Sequence, residues 1–431
     1  MLLKKIKYIS AISFLLIVLN AHAEANLAHL SLAQAQQLFH ENNKELTAAK
    51  RMLQGVEANA ISASQKPNPN LSLGVSSFNL NRSTGNKNPS GSNSLQDQTL
   101  NSTVQISQLI ERGDKRELRI ASAQNAVKAS NYDLKDAERQ LLLNLNAAYY
   151  DLLLAQEAEK ILAGNSASYE RTIQAAELRL KVGDIAASDV ARMRVDLLKV
   201  QNDMRQAKAN REKAQTNLAY MIGQENDASQ LYAEDHWPAA SSQNLNTPKN
   251  VDARPDLLAA EARTKQAEEN QRLANALKTR DVNVALQYQH FPGQLPGAGD
   301  NTIGAAISIP LFTNYEYQGE IAKAEVDLTS AIEAKQQARA SAISEIARAE
   351  ADLNAAYEKV YRFDTQILTE AQKAADAAEF AYNHGATGIT DLLDARRVLR
   401  SLQLDAANAH ADYAKALAAW QAATKTEDIQ N

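Results

Sequence analysis

The residues that could do chemistry in this chain come in two matched sets. Gly183 is followed by Ser188 and Asp189, and 202 residues later Gly385 is followed by Thr390 and Asp391. A glycine of this kind supplies the left-handed position that ends a helix. The residues after it then read as the start of the next helix, with Ser188 and Thr390 as N-caps and the aspartates on the first turn. The sets differ where Arg192 stands against Asp394, and Leu180 against Tyr382. Other chemistry is sparse. The histidines at 22, 29, 40, 236, 290, 384 and 410 form no pair at metal-ligand spacing. His384, beside Gly385, could bind or sense a metal, although a solvated turn histidine is the plainer reading. Phosphate loops, nucleophile elbows and acid-base pairs are missing, so an enzyme is not expected and no cofactor is implied.

The elements that carry these sets repeat as well. From Met193 apolar residues step by three and four through Leu197, Val200, Met204, Ala207, Ala214, Leu218 and Met221, with Arg211 as the break. The same offset gives Ala395, Leu399, Leu402, Ala406, Ala409, Ala416, Trp420 and Ala423, with Tyr413 opposite Arg211. A period this long marks a duplicated domain, since solenoid units run about 20–50 residues. Glycine and proline number only 15 and 9 of 431 residues, which favours long uninterrupted helices. The stretch from Lys115 to Val182 lacks proline and has only Gly164 inside it, enough for a helix about 100 Å long.

Each copy also holds a pair of strand candidates. Leu71, Leu73 and Val75 alternate with small or polar residues, as do Val104 and Ile106; the second copy has Val282, Val284, Leu286 and Tyr288, then Ile303, Ala305, Ile307 and Ile309. Turn-rich stretches, Asn79 to Asp97 and Pro292 to Asp300, separate the members of each pair. Aromatic residues, Phe78, Tyr288, Phe291 and Phe312, lie towards the strand ends, as in a membrane β-barrel, although half-buried hairpins of a soluble sheet read alike. Four strands cannot close a barrel, which takes about eight or more. They belong either to a soluble sheet or to a ring shared among subunits.

The N-terminus reads as an export signal over 1–23: Lys4, Lys5 and Lys7, an apolar run from Ile9 to Leu19, then Ala21-His22-Ala23. The mature chain is expected to begin near Glu24, which takes the formal charge from −5 to about −8 and disfavours nucleic acid as a partner. Cysteine is absent, so disulfides and thiolate metal sites are excluded. Past the signal, no apolar run is long enough to span a bilayer as a helix.

In order of elements, in duplication and in the tip sequences Val182-Gly183-Asp184-Ile185-Ala186-Ala187-Ser188-Asp189-Val190 and Tyr382-Asn383-His384-Gly385 to Asp391-Leu392-Leu393-Asp394-Ala395, the chain resembles the TolC-like outer-membrane efflux proteins. Arg254-Pro255-Asp256-Leu257 and Ile307-Ser308-Ile309-Pro310-Leu311-Phe312 add to the resemblance. It implies a mainly α protein with a small β part, built as a homotrimer with a twelve-stranded outer-membrane barrel and a periplasmic α-helical barrel. Such a protein is a passive exit duct, working with a periplasmic adaptor and an inner-membrane pump, here expected to be proton-driven. The stretch Glu111-Arg112-Gly113-Asp114-Lys115-Arg116-Glu117-Leu118-Arg119-Ile120 further resembles the branch serving cobalt, zinc and cadmium pumps, which implies heavy-metal cargo.

The expected organisation is a first repeat over 24–223 with strands about 70–80 and 100–109, a linker over 224–253, a second repeat over 254–424 with strands about 281–290 and 302–311, and a tail over 425–431. By resemblance Asp391 and Asp394 ring the periplasmic aperture, where carboxylates would concentrate cations. Tyr382 and Asp189 match partners in a bond that holds neighbouring hairpins closed, and Gly183, Gly385, Ser188 and Thr390 lie at tips that meet the adaptor. Thr387 stands where a basic residue of that closing network is expected. For Asp189 and Asp391 the alternative is a helix-dipole role, at about 0.3–1 kcal/mol. The alternative for the whole chain is a soluble periplasmic coiled-coil adaptor or scaffold.

Overall fold

The computed structural model describes residues 27–76, 101–241, 251–291 and 301–426. The export signal, Phe78, both turn-rich stretches, part of the expected linker and most of the tail lie outside the described residues. In chain order the elements are α1 (Leu32–Asn42), α2 (Lys44–Ala63), β1 (Asn70–Ser76), β2 (Asn101–Ile110), α3 (Lys115–Lys181), α4 (Ala187–Ile222), α5 (Pro255–Ala276), β3 (Val282–His290), β4 (Asn301–Ser308), α6 (Gln318–Arg362), α7 (Leu368–Asn383) and α8 (Ile389–Thr424). Between α6 and α7, residues Phe363–Ile367 form one π-helical turn. The matching stretch 161–165 of α3 is uninterrupted α-helix around Gly164.

These elements form two compact units that cut across the duplication, because each takes part of both copies. One consists of the residues up to Asn42, Leu145–Pro238 and Leu368–Ala411; the other of Asn43–Asn144, Ala239–Ile367 and the residues from Asp412.

The second unit contains a four-stranded antiparallel sheet in the order β1-β2-β3-β4. Its register lines Leu73, Val104, Tyr288 and Ile303 into one row, and Leu71, Ile106, Leu286 and Ala305 into another. Because side chains alternate along a strand, all of these share one face. The opposite face is small and polar, with Ser72, Gly74, Thr103, Gln105, Ser107, Gln287 and Gln289. On the central strands the polar face is the better shielded: Ser107 and Ala285 are 9% and 7% exposed, against 49% for Ile106 and 56% for Leu286. β4 ends at Ser308, short of the expected 311, since Pro310 has no N–H to give to a ladder.

The same unit is secured around a fully buried arginine. Arg254 donates to Asp256 (2.8 and 3.1 Å), to Glu345 (2.9 Å) and to the carbonyl of Ala423 (3.0 Å). Arg139 donates to the same Glu345 (3.2 Å), to Asp136 (2.9 Å) and to the carbonyl of Ala422 (3.3 Å). Two guanidinium groups thereby satisfy carbonyls in the last turn of α8, where positive charge is favoured. Burial pushes the Glu345 carboxyl up, but its hydrogen bond to Arg254 and the charges of both arginines prevail, and it ends below the ordinary range.

In the first unit, α4, α7 and parts of α3 and α8 enclose a core of Leu162, Tyr169, Ile173, Val190, Met193, Val200, Ile389, Leu392 and Leu393. The seam that breaks at Arg211 is closed there by an ion pair to Glu159 (2.6 Å). The connection between the copies is no slack tether over its described part. Leu231 and Ala233 are buried, Ala233 bridges to Leu30, and both amide groups of Ala233 pair with the Gln156 side chain.

Candidate gate at the helical-hairpin tips

Both hairpins of the first unit turn in the same way. Gly183 (φ 78°) and Gly385 (φ 72°) take the left-handed conformation. The amide of Asp184 donates to the carbonyl of Arg179 (2.9 Å), and that of Gly183 to Leu180 (3.0 Å); 202 residues on, Ala386 donates to Ala381 (2.8 Å) and Gly385 to Tyr382 (3.1 Å). This pair of bonds is a Schellman motif, which satisfies carbonyls at a helix end. Both helices restart one residue before the expected caps, so the cap position moves back by two. Ala186 is the N-cap of α4, and α8 begins at Ile389. Ser188 and Thr390 therefore sit inside the first turn and do not cap it, because the Schellman geometry leads straight into the next helix. Asp189 and Asp391 remain on that first turn.

The decoration of the turns differs. In the first, Arg179 bonds Asp184 (2.6 Å) and lies over the Tyr382 ring, 5.2 Å from its centroid. In the second, the equivalents of Arg179 and Asp184 are Ala381 and Ala386, and Nδ1 of the exposed His384 lies 2.8 Å from the Phe380 carbonyl, which accepts from it in the Nδ1–H tautomer. Tyr382 is buried and its hydroxyl has no hydrogen-bond partner, so the expected bond to Asp189 is not made among the described residues. Burial raises the Tyr382 phenol; Arg179 opposes this, while the charges of Asp189 and Asp184 add to it. Gly183, Gly385, Ser188, Thr390, Asp391 and Asp394 are all exposed. No group of three or more metal-ligand side chains gathers among the described residues.

Sequence reasoning missed the arginines that join the hairpins. Arg397 holds Asp196 with both Nε and Nη2, at 2.8–3.3 Å, and its remaining nitrogen bonds Asp394 (2.8 Å). Asp196 is 2% exposed, so its charge depends on that arginine. Arg396 bonds Thr172 (2.7 Å) and Glu379 (3.0 Å) and lies over Tyr169. Arg192 reaches Thr390 (3.3 Å), and Arg400 reaches Asp203 (4.0 Å). The one available signal was an acid, Asp196, on a helix face between Met193 and Val200 that is otherwise apolar.

Three of these links pair α4 with α8, and each joins residues separated by nearly the repeat length. Residues 196 and 397, 192 and 390, and 203 and 400 are level neighbours. Corresponding parts of the two copies thus lie side by side, as quasi-equivalent staves of one wall.

A duplicated set of helical hairpins, joined to strands whose exposed face is the apolar one, defines a wall-forming membrane conduit. The chain belongs to the outer membrane efflux protein family, whose model matches residues 35–224 and 250–424. It is 25% identical over 389 residues to the cobalt-zinc-cadmium resistance protein CzcC of Cupriavidus metallidurans, covering 86% of this chain and 84% of that one. It is 22% identical to the outer membrane protein TolC of Escherichia coli over 64% of this chain and 59% of that one. Among solved structures, the outer-membrane channel OprN matches with a TM-score of 0.76 at 21% identity, covering 92% of this chain and 90% of that one. CusC matches at 0.76 and 17% identity, covering 95% and 96%. Family membership makes the protein a passive outer-membrane conduit extending into the periplasm, and no enzyme. The soluble adaptor alternative falls with it.

Proposed function

We propose that three copies assemble into an exit duct whose four-stranded sheets join into a twelve-stranded barrel and whose hairpins close a helical tunnel. The observation that carries this reading is the inverted sheet. Its apolar face is exposed, its polar face is the better shielded on the central strands, and among the described residues β1 and β4 each leave an edge unpaired. In water such a sheet is an aggregation hazard. In a bilayer the apolar face suits lipid, and open edges cost several kcal/mol per group unless other copies pair with them. The level pairing of α4 with α8 supports six near-equivalent hairpins around one axis.

On this reading the mature chain runs from near Glu24, and the two repeats over 24–223 and 254–424 contribute one hairpin each to the periplasmic end. Asp391 and Asp394 line the aperture, Tyr382 with Asp189 closes neighbouring hairpins, and the tips at Gly183, Ser188, Gly385 and Thr390 receive the adaptor. A proton-driven inner-membrane pump supplies the cargo. We take that cargo to be heavy-metal cations, because one relative is named for cobalt, zinc and cadmium resistance and the sheet-to-helix joint from Glu111 to Ile120 resembles that branch.

Fractionation and cross-linking test the assembly: an outer-membrane trimer is expected, and a soluble monomer refutes it. For the cargo, deletion in a strain lacking other ducts is expected to sensitise cells to zinc, cobalt and cadmium more than to dyes and antibiotics. Unchanged metal tolerance refutes the metal assignment alone.

A further inference from the structure

The four strands contain no aspartate, glutamate, lysine or arginine. Charge begins abruptly at one rim, where β1 and β3 start and β2 and β4 end. Just past the last paired residues, Ile110 and Val282, one segment carries Glu111 and Arg112 and the other Asp281 and Arg280. The Arg112 amide bonds the Asp281 side chain (3.0 Å), so the two segments stay together there.

Both acids of that quartet are neutralised from inside the protein. Glu111 pairs with Arg119, and Asp281 with the buried Lys115 (2.8 Å). The two arginines are not. Arg112 and Arg280 are exposed, and neither side chain has an acidic partner among the described residues; Arg280 lies over the Phe312 ring, 5.3 Å from its centroid. Lys66 and Lys278, near the starts of β1 and β3, are exposed as well, as are the acids Asp114, Glu117, Glu316 and Glu320. A guanidinium group without an acidic partner keeps its paired N–H donors available to an anion. The aromatic group of Phe312, Tyr315 and Tyr317 stands at the end of β4 on this rim, as side chains do at a membrane interface.

We propose that this rim binds the phosphate group of an anionic phospholipid, with Arg112 and Arg280 as the main contacts, Lys66 and Lys278 as further ones, and the acyl chains along the apolar face at Ile110, Val284 and Ile307. The inference rests on the sheet lying in a bilayer. Charge complementarity selects the occupant: two uncompensated guanidinium groups at the edge of an uncharged apolar surface match a headgroup joined to hydrocarbon, and a soluble anion would leave that surface uncovered. Arginine suits phosphate oxygens through paired N–H donors.

The test uses the full-length protein in vesicles and in detergent. Wild type is expected to float with vesicles of phosphatidylcholine alone and with vesicles containing phosphatidylglycerol. In detergent, phosphatidylglycerol should be retained and should raise the unfolding temperature more than phosphatidylcholine, with inorganic phosphate having little effect. Arg112→Gln with Arg280→Gln should keep the assembly intact while reducing that preference about fivefold per arginine. Equal effects of the two lipids on wild type, an unchanged preference in the double variant, or an equal effect of inorganic phosphate would overturn the rim assignment and leave the membrane reading standing. Failure to float with either vesicle would remove the membrane reading and the rim site together.

Discussion

The turns at Gly183 and Gly385 have one backbone and two chemistries. Each ends its helix through the same two bonds and places an aspartate on the first turn of the next. The first turn carries a closed ion pair, Arg179 with Asp184, and contributes Arg192 to the neighbouring hairpin. The second replaces the ion pair with two alanines and gathers a buried tyrosine, an exposed histidine and two exposed acids. Duplication fixed the frame, and the side chains then diverged. The first hairpin has the means to be fixed wall. The second bears two exposed acids, and Arg396, Arg397 and Arg400 of α8 tie it to the first, with Arg192 reaching across from the first.

Breaking the Arg397 tie should have the largest effect. Arg397→Ala leaves Asp196 buried without its cation. Removing one partner of a fully buried pair costs about 3–5 kcal/mol; because the arginine itself is 44% exposed, water recovers part of this, and about 2 kcal/mol is expected. Chemical unfolding measures the loss, and Asp196→Asn added to Arg397→Ala should restore most of it. A single variant as stable as wild type would mean that the hairpins do not depend on each other here. Acid should loosen the Arg254 cluster independently. Glu345 has a lowered carboxyl, so its contribution is complete above the ordinary glutamate value near 4.5 and is lost as pH falls below that.

The two glycines offer a matched pair of substitutions. Nothing lies within 4 Å of a Cβ built on either, so Gly183→Ala and Gly385→Ala pay only the left-handed backbone, about 1 kcal/mol each. Equal losses in thermal unfolding support one shared turn. A markedly larger loss at Gly385 would show that the second tip is held by contacts in the assembly that the first tip lacks.

What could be read in advance follows from the range of the signals. Periodicity and repetition are local patterns, so the duplication, the strand pairs, the long α3 and the turn glycines were all visible. The N-caps were misplaced by two residues because Ser188 and Thr390 have the right chemistry, whereas the cap position is set by where the Schellman turn releases the chain. The Arg397–Asp196 link was invisible for a different reason. It joins residues 201 apart, and a heptad reading asks only whether a face is apolar. Arg254 belonged to a quoted motif, but its work, satisfying the end of α8, needs the fold to be seen.

Removing the acids that distinguish the second tip should change stability little and conduction more. Asp391→Asn with Asp394→Asn gives up a helix-dipole interaction of about 0.3–1 kcal/mol, along with the bond from Arg397 to Asp394. If the acids line an aperture, divalent-cation block of single-channel current should weaken as well. Unchanged block would reduce both residues to the helix-dipole role. For the stability term alone, Asp189→Asn is the control from the first copy, since it shares the dipole position and lacks an equivalent of Asp394.

The smallest effect on stability is expected at Tyr382, and it separates two accounts of the tip. Its hydroxyl is buried with no partner, so Tyr382→Phe removes a desolvated group and costs nothing measurable within one chain. The raised phenol gives the sign of the pH response. The neutral form is the one that packs, so stability at this position holds below the ordinary tyrosine value near 10 and falls as pH rises through the raised value. Tyr382→Phe abolishes that alkaline loss. In the assembled duct the same hydroxyl has a neighbour to meet if it closes the tip, and the variant then opens more often in single-channel recordings while its unfolding midpoint stays put. Should opening also stay put, Tyr382 is packing for Arg179 and nothing more, and the closing role passes to the arginines that join the hairpins, Arg192, Arg396, Arg397 and Arg400.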